Sequence, residues 1–317
     1  MRRVILLLPA ALLLALASAT TALADNGLTP VTPRSPNAEA INDTYWMILI
    51  VTGIIFVLVE GALILFIVRF RNRGDRTQEG AQIHGASKLE LSFTLVPVLI
   101  LAGIISFVFV KLPDVKDVPA AAAGTSNLEI RVEGHQYYWL FKYPDGQTAV
   151  QRMVVPVNRV VELTVVSPDV IHSWWAPALG GKIDAIPGRT NHTWFKVDRE
   201  GSYEVRCAEL CGLEHAHMLG WVDVVSAREY SRFISAHTGA SKAVGKELVA
   251  GVCAPCHGMN GGGDYGPKIQ GNALMNDAKG LENLLRQGKN KMPAVGATWD
   301  DTTMKAATDY LKERFGS

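Results

Sequence analysis

Two long apolar runs, residues 45–68 and 91–110, constrain the fold of this 317-residue chain more than any other feature. Each run is long enough to cross a bilayer, which takes about 20 predominantly apolar residues in a helix. The segment between the runs is basic and contains Arg69, Arg71, Arg73 and Arg76. Because basic loops stay in the cytoplasm, we predict a two-helix membrane hairpin with a cytoplasmic loop and with everything after Lys111 outside.

A carboxylate, Glu60, interrupts the first apolar run. Ionisable side chains inside a membrane are costly, and they face protein or water rather than lipid. Glu60 is therefore predicted to face either the other helix of the hairpin or a neighbouring membrane subunit.

Residues 1–24 have the three parts of a secretory signal peptide. They begin Met-Arg-Arg, continue with an apolar core and end with Ala22 and Ala24 at a small-x-small cleavage site. A retained first membrane helix is the alternative, although the apolar core is short for a span. We assign residues 1–24 to a signal peptide and residues 25–112 to an N-terminal segment and the hairpin.

Strand-like alternation begins after a linker-like stretch that ends at residue 126. Leu128, Ile130 and Val132 alternate with charged residues. Further β-rich runs lie at residues 159–167, 193–197, 203–206 and 219–225. Short strands separated by Pro and Gly turns indicate an all-β sandwich or barrel, which we place at residues 113–226.

The pattern becomes helical after Val225, and the last 75 or so residues hold no obvious strands. We predict a linker at residues 227–242 and an all-α domain at residues 243–317.

A cluster of soft metal ligands lies in the stretch from Cys207 to Met218. Sulfur and imidazole ligands suit copper, zinc or iron rather than magnesium or calcium. A one-copper site of the blue type takes one cysteine, two histidines and a methionine, so the second thiolate is surplus to it. We therefore predict that Cys207 and Cys211 bridge two metal ions, with His215 and Met218 as further ligands. A disulfide between the cysteines is the alternative in an exported protein.

A two-metal site needs a second imidazole, and two histidines compete for this role. His172 follows a predicted strand in a separate loop, whereas His217 lies two residues from His215. If the loop is helical there, His217 points away from His215. We therefore favour His172.

The motif Cys253-Ala-Pro-Cys256-His257 fits C-x-x-C-H, the attachment motif of c-type haem. Both thiols form thioethers with haem, and the histidine is an axial ligand of the iron. A zinc ribbon would need further ligands at suitable spacing, and we find none.

The second axial ligand is predicted to be a methionine, and Met292 is well placed after a helical stretch. Met259 is too close to His257 to reach the opposite haem face, and Met304 lies in a helical pattern where methionine is more often core. Met275 is a further rival. Met292-Pro293 and Gly266-Pro267 resemble the corresponding segments of class I cytochromes c.

Three separated motifs resemble subunit II of cytochrome c oxidase over about residues 40–225. They are Cys207-x-Glu209-x-Cys211-Gly-x-x-His215-x-x-Met218, Gly134-His-Gln-Tyr-Tyr-Trp139 and Lys182-x-Asp184-Ala-Ile-Pro-Gly-Arg189. The resemblance implies a binuclear copper A centre, with its ligands at His172, Cys207, Cys211, His215, Met218 and the carbonyl of Glu209. It also implies that the Glu209 carboxylate reaches a magnesium ion at the interface with subunit I.

Further residues gain roles from the same resemblance. Glu90 matches a glutamate at the mouth of a proton pathway, and Asp184 with Arg189 matches a segment near the subunit I haem. Tyr137 stands where the family usually has the tryptophan that receives electrons from soluble cytochrome c. For Trp139, packing of the sandwich is as good an explanation as a part in that electron route.

The expected fold is a multidomain membrane protein with a transmembrane hairpin, a cupredoxin-like copper A sandwich and a cytochrome c domain. The expected function is that of subunit II of a cytochrome c oxidase, an oxidoreductase that also pumps protons, in the bacterial inner membrane with both metal domains outside. Expected partners are oxidase subunits I and III and soluble cytochrome c. A copper-A-containing nitric oxide reductase is the alternative. The balance of 31 basic and 30 acidic residues gives no reason to expect nucleic acid.

Overall fold

The computed structural model describes residues 29–71, 82, 84–121 and 124–316. The predicted signal peptide lies outside these residues, as do Arg73 and Arg76 of the predicted cytoplasmic loop. The chain forms two compact units, one of residues Glu39–Asp117 and one that combines the N-terminal segment to Ala38 with residues from Val118 onward.

The smaller unit is a helical hairpin, with helix α1 at Pro36–Phe70 and helix α2 at Ser87–Lys116. Both helices are long and apolar enough to cross a membrane. They extend beyond the predicted spans, because apolar composition marks only the part of a helix that meets lipid. Lys111 Nζ lies 2.8 Å from a carboxylate oxygen of Asp43, so an ion pair joins the two helices.

The larger unit contains ten strands in two five-stranded sheets. The strands are β1 Leu128–His135, β2 Tyr138–Lys142, β3 Thr148–Val150, β4 Arg152–Pro156, β5 Val160–Val166, β6 His172–Trp175, β7 Ile183–Ala185, β8 Asn191–Lys196, β9 Gly201–Cys207 and β10 Leu219–Val225. One sheet has the order β3-β2-β1-β5-β8 and the other β4-β10-β9-β6-β7. The pairs β1–β5 and β4–β10 are parallel, and the others are antiparallel.

The sandwich core lies between the sheets and is built from alternate residues of each strand. On β1, Leu128, Ile130 and Val132 point into the core, while Glu129 and Arg131 are exposed. Each fully buried aliphatic side chain of this kind contributes about 1.5–3 kcal/mol. The predicted all-β sandwich is therefore confirmed.

Strand β2 is buried on both faces, and for this reason its sequence shows no polar alternation. Trp139 and Phe141 belong to the sandwich core, whereas Tyr138 and Leu140 belong to a second core that they share with the C-terminal domain. The sequence pattern did not predict this strand, because alternation marks only a strand with one solvated face.

The C-terminal part of the chain is helical, as predicted. It contains α3 Ala227–Ala236, α4 Lys242–Leu248, a π-helical turn Val249–Cys253, α5 Ala254–His257, a 3-10 turn Ala273–Asn276, α6 Ala278–Gln287 and α7 Asp301–Phe315. A capping box between Ser226 and Glu229 begins α3. Within the predicted linker, α3 packs its apolar face, Tyr230, Phe233 and Ile234, on the sandwich core.

The C-terminal domain packs closely against the edge of the sheet at β2 and β3. A Cβ atom on Gly251 would lie 2.7 Å from Cγ of Gln151, so a larger residue would not fit between the two domains. The backbone N–H of Val150 donates to a carboxylate oxygen of Glu247 at 2.9 Å, which satisfies a donor on the edge strand β3. The predicted boundary between these domains remains a prediction, because residues from Val118 onward form one compact unit.

Candidate copper and haem sites

The predicted copper ligands come together where two neighbouring strands of one sheet end. His172 is the first residue of β6 and Cys207 is the last residue of β9. The two strands are paired, with Trp174 opposite Cys207. Strand pairing therefore brings an imidazole from one loop to the thiols of another.

The donor atoms of this cluster lie at distances suited to shared metal ions. Those of His172, Cys207 and Cys211 are all within 4.8 Å of one another. The other contacts are Cys211 Sγ to His215 Nδ1 at 3.6 Å, Cys211 Sγ to Met218 Sδ at 3.8 Å and Cys207 Sγ to the carbonyl oxygen of Glu209 at 3.2 Å. Two thiolates, two imidazoles and a thioether form a soft donor set that fits copper.

The two cysteines of the loop are free thiols. Their sulfurs are 3.8 Å apart, whereas a disulfide bond is about 2.05 Å long. Burial raises the pKa of Cys207, but hydrogen bonding to His172 and to the backbone of Glu209 and Ser173, together with the charge of His172, outweighs it and lowers the pKa to about 7. At Cys211, burial and the charge of Cys207 both act upward and raise the pKa to about 12. The site resists a second thiolate unless a cation lies beside it, which fits metal binding.

Asp169 holds His172 in its orientation toward the sulfurs. His172 is fully buried, its Nδ1 lies 3.9 Å from Cys207 Sγ and its Nε2 lies 2.8 Å from a carboxylate oxygen of Asp169. Asp169 also accepts a hydrogen bond from the backbone N–H of Gln136 at 2.8 Å. A carboxylate of this kind fixes the tautomer of a ligand histidine.

His217 lies away from the cluster. Its side chain is 77% exposed, and its Nδ1 lies 2.6 Å from a carboxylate oxygen of Glu214. In the 3-10 turn at His215–His217, the His215 imidazole contacts Cys211, whereas the His217 imidazole contacts Glu214. The geometry therefore favours His172 over His217 as the second imidazole.

A cavity of about 960 Å³ surrounds the C-x-x-C-H motif and is lined by Cys253, Cys256 and His257. His257 Nδ1 donates to the carbonyl oxygen of Pro267 at 2.7 Å, which leaves Nε2 free to bind a metal. A Cβ atom on Gly266 would lie 2.8 Å from the His257 ring. The Gly266-Pro267 turn therefore packs directly against the predicted axial ligand, and the cavity suits a covalently attached haem.

The four candidate methionines differ in their access to this cavity. Met292 and Met275 line it, and Met275 is also part of the buried core. Met304 is buried in the core without lining the cavity, and Met259 is 68% exposed. Met292 lies in a tight turn in which its backbone exchanges two hydrogen bonds of 3.0 Å with Lys289.

The copper loop forms part of the cavity wall. Leu213, Glu214 and His217 of this loop line the cavity together with Tyr137. The Tyr137 hydroxyl accepts a hydrogen bond from the backbone N–H of Leu213 at 3.1 Å. A Cβ atom on Gly212 would lie 2.5 Å from the same hydroxyl, so the loop and Tyr137 are in close contact.

Each of the remaining predicted residues has its own place in the fold. Trp139 is completely buried, with its ring 6.1 Å from that of His172, so it packs the sandwich beside the copper cluster. Glu209 is exposed at the loop surface, and Asp184 on β7 is exposed as well. Arg189 is exposed in the turn after β7, and Glu90 lies in the first turn of α2.

Sequence reasoning missed Asp169 and Tyr138. The only signal for Asp169 was its position three residues before His172. Tyr138 was noted within a motif, but its contact with the C-terminal domain depends on a packing arrangement that no local pattern reveals.

Family comparisons match three segments of the chain. Residues 27–110 match "Cytochrome C oxidase subunit II, transmembrane domain", and residues 147–225 match "Cytochrome C oxidase subunit II, periplasmic domain". Residues 240–311 match "Cytochrome C oxidase, cbb3-type, subunit III". These matches confirm the predicted order of membrane hairpin, copper A domain and cytochrome c domain, and the last two imply copper A and haem c.

Two curated relatives are named cytochrome c oxidase subunit 2. The cytochrome c oxidase subunit 2 of Alkalihalophilus pseudofirmus is 30% identical over 92% of this chain and 92% of its own length. That of Cereibacter sphaeroides is 30% identical over 68% of this chain and 82% of its own length. The crystal structure of the periplasmic domain of subunit II from Bradyrhizobium japonicum is 37% identical, with a TM-score of 0.35, over 38% of this chain and 96% of that one.

These relatives do not favour the nitric oxide reductase alternative. Two apolar helices and a periplasmic domain match together, so the chain is a membrane protein with its soluble part outside. By its relatives and its domains, the chain belongs to the cytochrome c oxidase subunit II family, a component of an oxidoreductase, and carries a cytochrome c domain after the copper A domain.

Proposed function

We propose that this chain accepts electrons at its own haem c, passes them to copper A and delivers them to the haem of subunit I, where oxygen is reduced to water with proton pumping. The observation that carries this proposal is the shared wall of the two sites. Residues of the copper loop line the same cavity as the haem attachment motif, so the two proposed centres would be neighbours within one compact unit.

The bound copper and haem would each supply reversible one-electron chemistry, and the chain's residues set where and how firmly they are held. Cys207, Cys211, His172, His215 and Met218 would hold the copper, with the Glu209 carbonyl as a weak ligand. Cys253 and Cys256 would attach the haem, with His257 and Met292 on its two faces. Paired strands and the Asp169 contact keep the copper ligands in place, which is the preorganisation that electron transfer favours.

Tyr137 supports the fused haem, rather than a docked soluble cytochrome, as the immediate donor to copper. It is half-buried, it lines the haem cavity, and its hydroxyl contacts the copper loop. A soluble cytochrome c at this position would compete for space with the C-terminal domain. Soluble cytochrome c therefore belongs upstream of the fused haem in this proposal.

Three finer parts of the proposal concern the rest of the oxidase. The exposed carboxylate of Glu209 would share a magnesium ion with subunit I, beside Asp184 and Arg189 near the subunit I haem. Glu90, in the first turn of α2, would lie at the cytoplasmic mouth of a proton pathway. The complete complex would include subunits I and III in a bacterial inner membrane.

The purified complex with subunit I allows the electron route to be tested. Cys211→Ser should remove the near-infrared copper absorption, leave the haem c spectrum intact and abolish cyanide-sensitive oxygen uptake. Haem c should still be reduced in stopped-flow experiments but should no longer be reoxidised. Oxygen uptake at the wild-type rate in this variant would contradict the proposal.

Glu90→Gln tests the proton part separately. Turnover should slow while both metal spectra stay unchanged, because Glu90 lies in the first turn of α2 and is not among the proposed ligands of either metal. Glu129→Gln, an exposed carboxylate on β1, is the matched control and should turn over normally. Equal turnover of both variants would rule out a role for Glu90.

A further inference from the structure

The turn between strands β1 and β2 touches both of the proposed metal sites. Strand β1 ends at His135 and strand β2 begins at Tyr138, so the turn consists of Gln136 and Tyr137. Both turn residues are half-buried, and both line the cavity that surrounds the haem attachment motif. Both also form hydrogen bonds to the copper loop. This short turn therefore connects the wall of the haem cavity with the copper loop.

Gln136 is bonded to the copper site in two ways. Its side-chain Nε2 donates to the carbonyl oxygen of Cys211 at 2.6 Å. Its backbone N–H donates to a carboxylate oxygen of Asp169 at 2.8 Å, and the other carboxylate oxygen of Asp169 lies 2.8 Å from Nε2 of His172. Gln136 is thus bonded directly to one proposed copper ligand and, through Asp169, to a second.

Tyr137 contacts the same loop further along the chain from the proposed ligand. Its hydroxyl accepts a hydrogen bond from the backbone N–H of Leu213, and Gly212 separates Leu213 from Cys211. The bonded path from Gln136 instead enters Cys211 at its own carbonyl group. Because electron tunnelling decays more slowly along covalent and hydrogen bonds than across gaps, the shorter bonded path should carry more of the transfer.

Gly212 permits the close approach of the turn to the copper loop. A Cβ atom at this position would lie 2.9 Å from Nε2 of Gln136 and 2.5 Å from the Tyr137 hydroxyl. The backbone of Gly212 also has a φ of +138°, which residues with a side chain rarely adopt. A glycine at this position therefore lets the Gln136 amide lie directly against the backbone of the loop.

We propose that Gln136 is a positioning residue for electron transfer between the two centres, and that its side-chain amide supplies the main bonded route from the haem cavity to Cys211. This inference rests on the proposed function and deepens it. In the step concerned, one electron leaves the ferrous haem, which becomes ferric, and reduces the copper pair by one electron. The Gln136 amide is neither oxidised nor reduced, and no proton moves through it.

Gln136 has a second conceivable role, which is to hold the copper loop in shape. Contacts behind a ligand orient it and tune the metal, so the loss of such a contact would change the copper spectrum and the copper midpoint potential. A bridging role leaves both at their wild-type values and slows only the transfer of the electron. The two roles therefore differ in what a Gln136 variant changes.

The test uses the whole oxidase complex with Gln136→Met and Gln136→Leu, each as a single variant. Both variants lack the amide donor, and methionine keeps the length of the side chain, so an effect common to both reports the hydrogen bond rather than the volume. Tyr137→Phe removes the competing hydroxyl contact. Gln270→Leu is the control, because Gln270 is exposed in the cytochrome c domain and does not line the cavity.

The transfer rate is measured after flash reduction of haem c by a photoexcited small reductant. Haem c absorbance and near-infrared copper absorption follow the electron from one centre to the other. Transfer should slow by about ten-fold in both Gln136 variants, within the range that a misplacement of about 1 Å produces. Both midpoint potentials and the copper spectrum should stay at their wild-type values. Tyr137→Phe should lose less, and Gln270→Leu should match wild type.

Wild-type transfer rates in both Gln136 variants would overturn this inference. A loss in Tyr137→Phe as large as that in the Gln136 variants would assign the route to the tyrosine and would also overturn it. A changed copper spectrum or copper midpoint potential in the Gln136 variants would assign Gln136 to holding the loop, with the same consequence. If flash-reduced haem c does not pass its electron to copper in wild type, the proposed function itself fails.

Discussion

The hydroxyl of Tyr138 accepts a hydrogen bond from the indole Nε1 of Trp299 at 2.7 Å, across the boundary between the sandwich and the cytochrome c domain. The same hydroxyl donates to the carbonyl oxygen of Val295 at 2.9 Å. Tyr138 is almost completely buried, and this burial raises its pKa. One buried polar bridge thus ties the cytochrome c domain to strand β2 of the sandwich.

Removing this hydroxyl should loosen the cytochrome c domain. Tyr138→Phe removes the partner of the buried Trp299 donor and of the half-buried Val295 acceptor, which costs about 1–3 kcal/mol. Denaturant unfolding followed by haem absorbance should show a lower midpoint. Tyr265→Phe, on a side chain that is 62% exposed, is the control, and equal midpoints for the two variants would contradict the role of the bridge.

Replacing each of the two competing histidines in turn tests the copper ligand set. His172→Gln should remove most of the bound copper and the near-infrared absorption, because a buried imidazole beside Cys207 is lost. His217→Gln should retain both, since its side chain is 77% exposed and bonded to Glu214. Metal analysis of the purified complex checks this, and copper loss in the His217 variant would reverse the assignment.

Asp169 is expected to tune copper binding without being a ligand. Asp169→Asn weakens the acceptor that orients His172 at 2.8 Å, and changes of this kind lower metal affinity about 10–100-fold. Competition with a copper chelator measures the effect. Asp198→Asn, an exposed carboxylate, should show wild-type affinity, and the idea fails if both variants bind copper equally well.

Methionine substitution identifies the sixth haem ligand. Met292→Leu should remove the charge-transfer band of methionine-ligated ferric haem and lower the haem midpoint potential, because Met292 lines the cavity. Met259→Leu should leave both unchanged, since Met259 is 68% exposed. If the band survives in the Met292 variant, Met275, which also lines the cavity, becomes the candidate.

The contact between His237 and Glu247 should make the domain interface sensitive to pH. Nε2 of His237 lies 2.9 Å from a Glu247 carboxylate oxygen. Burial lowers the pKa of His237, but the hydrogen bond and charge of Glu247 outweigh it and raise the pKa. The stabilisation is therefore fully present below the unfolded pKa of about 6.5 and is lost as pH rises through the higher folded pKa.

Thermal unfolding of wild type and His237→Gln at several pH values tests this dependence. Wild type should be more stable than His237→Gln by about 1–3 kcal/mol at low pH, and this difference should shrink as pH rises. His192→Gln, on an exposed histidine of β8, is the control. A stability difference that grows with pH would contradict the predicted direction of the pH dependence.

The chemistry of both metal sites could be predicted from short patterns. The C-x-x-C-H motif contains the attachment cysteines and one axial ligand within five residues, and the stretch from Cys207 to Met218 contains most of the copper donors. The sequence favoured His172 over His217, and the pairing of β6 with β9 explains how His172 comes to lie beside the thiols. Asp169 could not be singled out, because its role depends on the loop conformation that brings its carboxylate to His172 and to the backbone N–H of Gln136.

By itself, the sequence determined the membrane hairpin and the order of the domains, and it predicted the metal-binding residues, since apolar length and ligand spacing are local properties. Only the tertiary structure decided that the copper loop and the haem motif share one cavity and that β2 is buried on both faces. Both features arise from packing between segments far apart in the chain, where the burial of apolar surface selects the partner.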